Sequence, residues 1–160
     1  MRAKFAAQLA AMSVFLSGCA LLNIGSSDLD RLRDAEPSGT AFQQAQFKDY
    51  AYLARSFGAS PSDQVETLAN AYAAKALTAA GGEDVAPEAP TNQEQSELHA
   101  RLQRGLNSGR DKAPADAARA QADYDCWLMN QTAGQTASSQ QCRASLEDTL
   151  PQLEGDASTQ

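Results

Sequence analysis

Apolar side chains recur every three or four residues along most of the chain, which is the period of amphipathic helices. The first helix is expected to run from Thr40 to about Phe57, because Thr40 and Gln43 have the spacing of a capping box. A second is expected from Ser60-Pro61 to a stop at Gly81-Gly82. Since the connection between them is short, the pattern predicts an antiparallel helical hairpin.

Three more helices are predicted after the acidic, proline-containing loop of residues 83–90. The first begins at residues 91–94 and ends at residues 107–109. The second runs from Pro114 to about Asn130. The third follows residues 138–141 and ends before Pro151. Nearly half of the apolar residues are alanine, whereas the chain has one isoleucine and three valines. Alanine favours helices and β-branched side chains favour strands. We therefore expect an all-α fold, a small bundle of about five helices forming one domain over residues 40–153.

The first 18 residues have the pattern of a secretory signal. Arg2 and Lys4 precede an apolar run of about eleven residues, which is short for a transmembrane helix of about twenty. The run ends in Leu16-Ser17-Gly18-Cys19, which resembles the lipobox of bacterial lipoproteins. The resemblance implies that residues 1–18 are a lipoprotein signal peptide. It also implies that Cys19 becomes the first residue of the mature chain and carries a diacylglycerol.

Lipid on Cys19 would hold the mature protein at a membrane, because each buried methylene contributes about 0.8 kcal/mol. The residue after the cysteine is Ala20 and not aspartate. By the sorting rule of enteric bacteria, a lipoprotein without aspartate at this position is exported to the outer membrane. Residues 19–39 are predicted to be a lipidated tether that reaches at most about 70 Å when fully extended. Residues 154–160 are predicted to be a polar tail. We expect the helical domain to face the periplasm.

The charge balance limits the kinds of partner. Two of the 13 basic residues lie in the signal peptide, so the mature chain has 11 basic and 20 acidic residues and a net charge of −9. Lysine and arginine form no cluster along the chain. This pattern argues against nucleic acid as a partner and against binding an anionic lipid surface through a basic patch.

Cysteine use favours a disulfide. With Cys19 assigned to lipid, Cys126 and Cys142 remain as a pair. In an exported protein these two cysteines can form a disulfide, because the periplasm is oxidising. Both lie eight residues from Gly134, so a helical hairpin that turns there would bring them opposite one another. A zinc site is the alternative, but the two cysteines and His99 are poorly spaced and lack a fourth ligand.

Catalytic patterns are absent from the sequence. It has no Gly-x-Ser-x-Gly, no His-Glu-x-x-His and no phosphate-binding loop. The single histidine, His99, neighbours an apolar stripe and is predicted to be a partly exposed structural residue. Asp123 and Asp125 are two residues apart on a helix and point to different faces, so they are predicted to be surface charges. We predict no enzymatic activity, no cofactor and no metal.

Several short motifs carry a resemblance to a known family. They are Gly81-Gly82-Glu83-Asp84-Val85, Pro87-Glu88-Ala89-Pro90, Tyr124-Asp125-Cys126-Trp127 and Cys142-Arg143. With these motifs, residues 19–153 resemble the amino-terminal helical region of OmpA-family lipoproteins from alphaproteobacteria. Members of that family continue into a carboxy-terminal domain that grips peptidoglycan, and the sequence ends at Gln160. We therefore expect no direct peptidoglycan binding, and cell-wall contact through another envelope protein.

Two functions are consistent with these features. The first is a lipid-anchored, periplasm-facing lipoprotein that acts as a non-catalytic structural or assembly module of the envelope. The alternative is a peptide- or small-ligand-binding helical adaptor, because the first hairpin and the stretch Tyr72-Ala73-Ala74-Lys75-Ala76-Leu77 resemble tetratricopeptide repeats. No period near 34 residues recurs, so a full array is not expected. A groove lined by Tyr50, Tyr52 and Tyr72 would favour the alternative.

Overall fold

Regular structure is helical throughout residues 27–59 and 62–157, which are the residues that the computed structural model describes. The helices are α1 (Asp28–Arg31), α2 (Ala41–Gly58), α3 (Asp63–Ala80), α4 (Gln93–Lys112), α5 (Pro114–Thr132) and α6 (Thr136–Ala157). The prediction of an all-α bundle is confirmed, with a short sixth helix added at the front. No helix in these residues is long and apolar enough to cross a membrane.

Helices α2 and α3 form the predicted antiparallel hairpin. The Thr40 hydroxyl accepts the backbone N–H of Gln43, and the Gln43 side chain accepts the N–H of Thr40, so the predicted capping box is present. Tyr50 and Tyr72 are completely buried in the core that the two helices share, among alanines that allow close approach. Helix α3 begins at Asp63, later than predicted, and Ser60-Pro61 lies outside the described residues.

The segment before α2 belongs to the folded domain. Leu32 is buried in the same core as α2 and α3. The N–H of Leu29 donates to the side-chain oxygen of Asn70 at 3.3 Å. Both the N–H and the hydroxyl of Ser38 donate to the Ala80 carbonyl, at 2.9 and 2.6 Å. The predicted tether of residues 19–39 is therefore too long, because its part from Ser27 onwards packs along α3.

The second half of the molecule is built from α4, α5 and α6. Its core consists of large side chains from all three helices: Leu98, Leu102, Leu106, Tyr124, Trp127, Leu128, Leu146, Leu150 and Leu153. The chain turns between α5 and α6 at Gly134, which has a φ of 69°. A disulfide joins Cys126 to Cys142 across this hairpin, with 5.8 Å between the Cα atoms. The predicted pairing is thus confirmed.

Two predicted helix ends are wrong for the same reason. Helix α4 does not close at residues 107–109 but continues to Lys112, and α6 continues through Pro151. Gly105 and Gly109 form a shallow channel for the buried Leu153, and a Cβ at Gly109 would lie 2.8 Å from the Leu153 Cδ2 atom. Burying a leucine stabilises by about 1.5–3 kcal/mol. That gain offsets part of the cost of proline in a helix interior, which is about 3 kcal/mol or more.

The end of α6 also changes the predicted tail. Glu154 belongs to the helix, and its carboxylate accepts two hydrogen bonds from Arg101 of α4, at 2.9 and 3.0 Å. Helix α6 continues to Ala157, so part of the predicted polar tail of residues 154–160 is helical. Residues 158–160 lie outside the described residues.

Candidate functional site

Asp125 is completely buried on α5, where α2, α3 and the loop of residues 83–90 meet. Its Oδ2 atom accepts a hydrogen bond from the Tyr50 hydroxyl at 2.6 Å and pairs with the Lys75 Nζ atom at 3.0 Å. Its Oδ1 atom accepts the backbone N–H of Glu88 at 2.7 Å. Three elements that are distant in sequence therefore converge on one carboxylate.

The charges of this network depend on one another. Burial raises the pKa of Asp125, while Lys75 and the hydrogen bond from Tyr50 oppose that rise. Burial by itself would lower the pKa of Lys75, but Asp125 and Glu88 raise it above its usual value. Lys75 also pairs with the Glu88 carboxylate at 2.9 Å and donates to the Ala86 carbonyl at 3.2 Å. The network is an ion pair of buried carboxylate and ammonium, to which the loop adds one donor, the Glu88 N–H, and two acceptors, the Glu88 carboxylate and the Ala86 carbonyl.

The same network attaches the loop to the bundle. The Gln121 amide, one turn before Asp125 on α5, donates to the buried Val85 carbonyl at 2.7 Å. At the start of the loop, the Gln43 amide donates to the Gly82 carbonyl at 2.8 Å. The Glu88 N–H bond to Asp125 also joins two of the motifs that carry the family resemblance, residues 87–90 and 124–127.

The prediction that Asp123 and Asp125 are surface charges is wrong. Both side chains are buried, because α5 is covered by α2 on one side and α6 on another. They do point to different faces, as predicted, and each has its own partners. The sequence contains one signal of this: Gln121 and Asp125 stand four residues apart on a helix whose neighbouring positions are mostly alanine.

A second group of polar side chains surrounds a cavity of about 460 Å³ between α2, α5 and α6, which we name the Asp49 pocket. The disulfide forms part of its wall. Asp123 accepts hydrogen bonds from the Arg119 Nε atom at 3.0 Å and from the Ser145 hydroxyl at 2.6 Å. No hydrogen bond or ion pair joins the Asp49 carboxylate to another described residue. Tyr52, with 64% of its surface exposed, lies at the rim.

Burial raises the pKa of Asp49 to about 6, with Arg119 opposing the rise and Asp123 adding to it. At a pH between the usual value of 3.8 and about 6, the folded protein holds a proton that the unfolded chain has lost. The contribution of Asp49 to stability therefore falls as the pH rises through this range. Above it, the folded protein carries a poorly solvated charge.

We expect the Asp49→Asn variant to be more stable than the wild type at pH 7.5, by about 1 kcal/mol once screening of this partly exposed group is allowed for. The difference should shrink on acidification and vanish near pH 4. Urea unfolding at a series of pH values measures it, with Asp111→Asn, an exposed aspartate, as the matched control. A difference that is independent of pH would contradict the assignment of the raised pKa to Asp49.

A third feature is an apolar cavity of about 430 Å³, which we name the α3–α5 groove. Its apolar lining comes from the first turns of α3, the loop before α4 and the last turns of α5: Leu68, Ala71, Ala89, Leu128, Met129 and Ala133. Tyr50, Tyr52 and Tyr72 do not line one groove, the arrangement that would have favoured the adaptor, because Tyr50 and Tyr72 are completely buried while Tyr52 lies at the Asp49 pocket.

The remaining predicted residues take simpler positions. The His99 ring lies 5.5 Å from the Tyr124 ring, centre to centre, and next to the Gln103 amide. No group of three or more histidine, cysteine or acidic side chains among the described residues is arranged to hold a metal ion. Cys19, the predicted lipidation site, lies outside the described residues.

Comparison of this chain with protein-family models, curated proteins and solved structures finds no match. The resemblance to OmpA-family lipoproteins therefore stays a prediction from the sequence motifs. Three features of the described residues bear on function: the buried Asp125 network, the Asp49 pocket and the α3–α5 groove.

Proposed function

We propose that this protein is a lipid-anchored lipoprotein of the bacterial cell envelope, held through Cys19 at the periplasmic face of the outer membrane. There its helical bundle acts as a non-catalytic structural or assembly module. The observation that carries the proposal is the Asp125 network, in which a buried carboxylate, an ammonium and a tyrosine hydroxyl bind each other and a loop.

Acid–base catalysis needs a group that can reach a proton on a bound substrate. In the described part of the chain, the buried Asp125 carboxylate is saturated by Tyr50, Lys75 and the Glu88 N–H. Lys75 in turn is shared between two carboxylates and a carbonyl. These groups give the loop of residues 83–90 a defined shape, which supports a role in presenting a surface to a partner.

The disulfide and the short connection to Cys19 also support the proposal. A disulfide between Cys126 and Cys142 persists in an oxidising compartment such as the periplasm. Seven residues, 20–26, separate Cys19 from Ser27, where the described fold begins, and a chain of that length spans at most about 28 Å. The bundle would therefore stay next to the membrane surface, where it can contact other anchored envelope proteins.

Lipidation can be tested by growing cells with an alkyne-labelled palmitate and recovering the protein. We expect the wild type to incorporate label, to lack residues 1–18 and to fractionate with the outer membrane. The Cys19→Ala variant should remain unlabelled, while the Cys126→Ala/Cys142→Ala variant, which retains Cys19, should be labelled like the wild type. An unlabelled wild-type protein, or one released from membranes after loss of residues 1–18, would contradict the anchor.

The assembly role has a separate test. Crosslinking in intact cells should join the wild-type protein to another envelope protein, and this product should be lost in the Cys19→Ala variant. A lipidated protein that gives no crosslinked product would contradict the assembly role while leaving the anchor in place.

A peptide- or small-ligand-binding adaptor is the second candidate. It is favoured by the Asp49 pocket and the α3–α5 groove, whose volumes of about 460 and about 430 Å³ are within the range of ligand sites. Lipid anchoring and ligand binding are compatible, so an anchored envelope protein could also bind a ligand in either cavity.

A further inference from the structure

The chemistry of the α3–α5 groove suits an uncharged, aliphatic occupant. Leu68, Leu128 and Met129 are the large apolar side chains in its lining. Its one lining residue with a formal charge is Glu88, and that carboxylate is already paired with Lys75 at 2.9 Å. A charged ligand would find no free counter-charge in the lining, whereas aliphatic side chains would gain from leaving water.

A segment of this chain has that chemistry and lies directly before the described fold. Residues 20–26 read Ala-Leu-Leu-Asn-Ile-Gly-Ser, with three large aliphatic residues in four positions and no charge. Gly25 and Ser26 follow the last of them, and both residue types are common in turns. A tether selected only for solubility would not need leucine and isoleucine at these positions.

The start of the fold is next to the groove. The Leu29 N–H bonds to Asn70 of α3, which places the chain at that level of the helix. Two residues of the groove are close to Asn70 on α3. Thr67, three residues before it, lies about 60° around the helix, and Ala71, one residue after it, lies about 100° around in the same direction. For a helix about 10–12 Å wide, that is a path on the order of 9 Å. Leu22 is five residues from Ser27, a reach of about 17 Å.

We propose that the segment Leu21–Ile24 docks in the α3–α5 groove, with its aliphatic side chains against Leu68 and Met129. The docking depends on the groove and on the composition of the segment, and not on lipid. The consequence for orientation rests on the proposed function: with Cys19 two residues before the docked segment, the acyl chains leave from this edge of the bundle. The groove side, with its attached loop, then faces the membrane.

A photocrosslinker in place of Leu22 tests the docking in the full chain. With p-benzoylphenylalanine at this position in intact cells, we expect irradiation to give an intramolecular crosslink to α3 near Ala71 or to α5 near Met129, identified by peptide mass spectrometry. The Ala71→Trp variant fills the groove and should lose this crosslink. Ala144→Trp, an equal change at an exposed position on α6, should retain it.

Several results would overturn the docking. They are a crosslink to a second copy of the chain, to another protein or to lipid, a crosslink to other parts of the bundle, or no crosslink at all. Ala71→Trp is interpreted together with its thermal melt, and if it fails to fold, Met129→Glu provides a second variant of the groove. The crosslink should persist in Cys19→Ala. A crosslink without palmitate label would support the docking and contradict the lipid anchor. A palmitate label without the crosslink would support the anchor and contradict the docking.

Discussion

Replacing Asp125 by alanine is expected to lower the free energy of unfolding by about 3–5 kcal/mol, the usual cost of removing one partner of a buried ion pair. The ammonium of Lys75, whose side chain is 17% exposed, would lose its buried counter-charge. The Tyr50 hydroxyl and the Glu88 N–H would lose their acceptor. Because whole domains are stable by about 5–15 kcal/mol, this change approaches the total stability of the protein.

Urea unfolding followed by circular dichroism measures this loss, with Asp148→Ala at an exposed position of α6 as the matched control. The control should change stability by less than about 0.5 kcal/mol. The double variant Asp125→Ala/Lys75→Met removes both charges and should recover much of the loss. Hydrogen exchange should show that residues 83–90 become less protected in Asp125→Ala. A loss no larger than that of the control would contradict the role of Asp125 as the centre of the network.

Removing the disulfide with Cys126→Ala and Cys142→Ala is expected to cost about 3 kcal/mol, the chain-entropy value for closing a loop of about 15 residues. The bond joins α5 to α6, and α6 supplies Leu146, Leu150 and Leu153 to the second core. Without it, α6 would be held mainly by those leucines and by the Arg101–Glu154 pair, whose side chains are about one-third exposed to solvent.

Thermal unfolding should show a Tm lower by about 10 °C for this double variant, given how strongly Tm responds to stability in domains of this size. The reducing agent dithiothreitol should lower the Tm of the wild type to a similar value and leave that of the double variant unchanged. Cys19→Ala is the control, because it removes a cysteine without touching the bond. Two free thiols in the native protein, with an unchanged melt, would show that the bond does not form.

Local patterns predicted the helices well where the signal lies within one turn. The capping box of Thr40 and Gln43 and the proline at the start of α5 both stand at the observed helix starts. The same rules failed at Gly109 and Pro151, because the contact of Leu153 with α4 favours continuing both helices against the local preference of glycine and proline. That contact joins residues more than forty positions apart, which no local pattern contains.

The candidate site was less predictable than the fold. An aspartate in a helix is usually exposed, and the sequence places Tyr50 75 residues and Glu88 37 residues from Asp125. Their convergence depends on how α2, α3 and the loop pack around α5. The α3–α5 groove likewise combines residues from three separate elements, so its apolar lining could not be distinguished from ordinary core residues in the sequence.

The sequence by itself determined the helical class, the pairing of Cys126 with Cys142 and the hairpins that bring elements together, because propensity, periodicity and cysteine count act within short stretches. It also contains the signal-like segment that ends at Cys19. Only the tertiary structure decided that Asp125 is buried and paired, that Leu32 belongs to the core and that residues of α3, α5 and the loop before α4 line one apolar groove. Burial and charge pairing depend on which distant surfaces meet, and that information appears only when the helices pack.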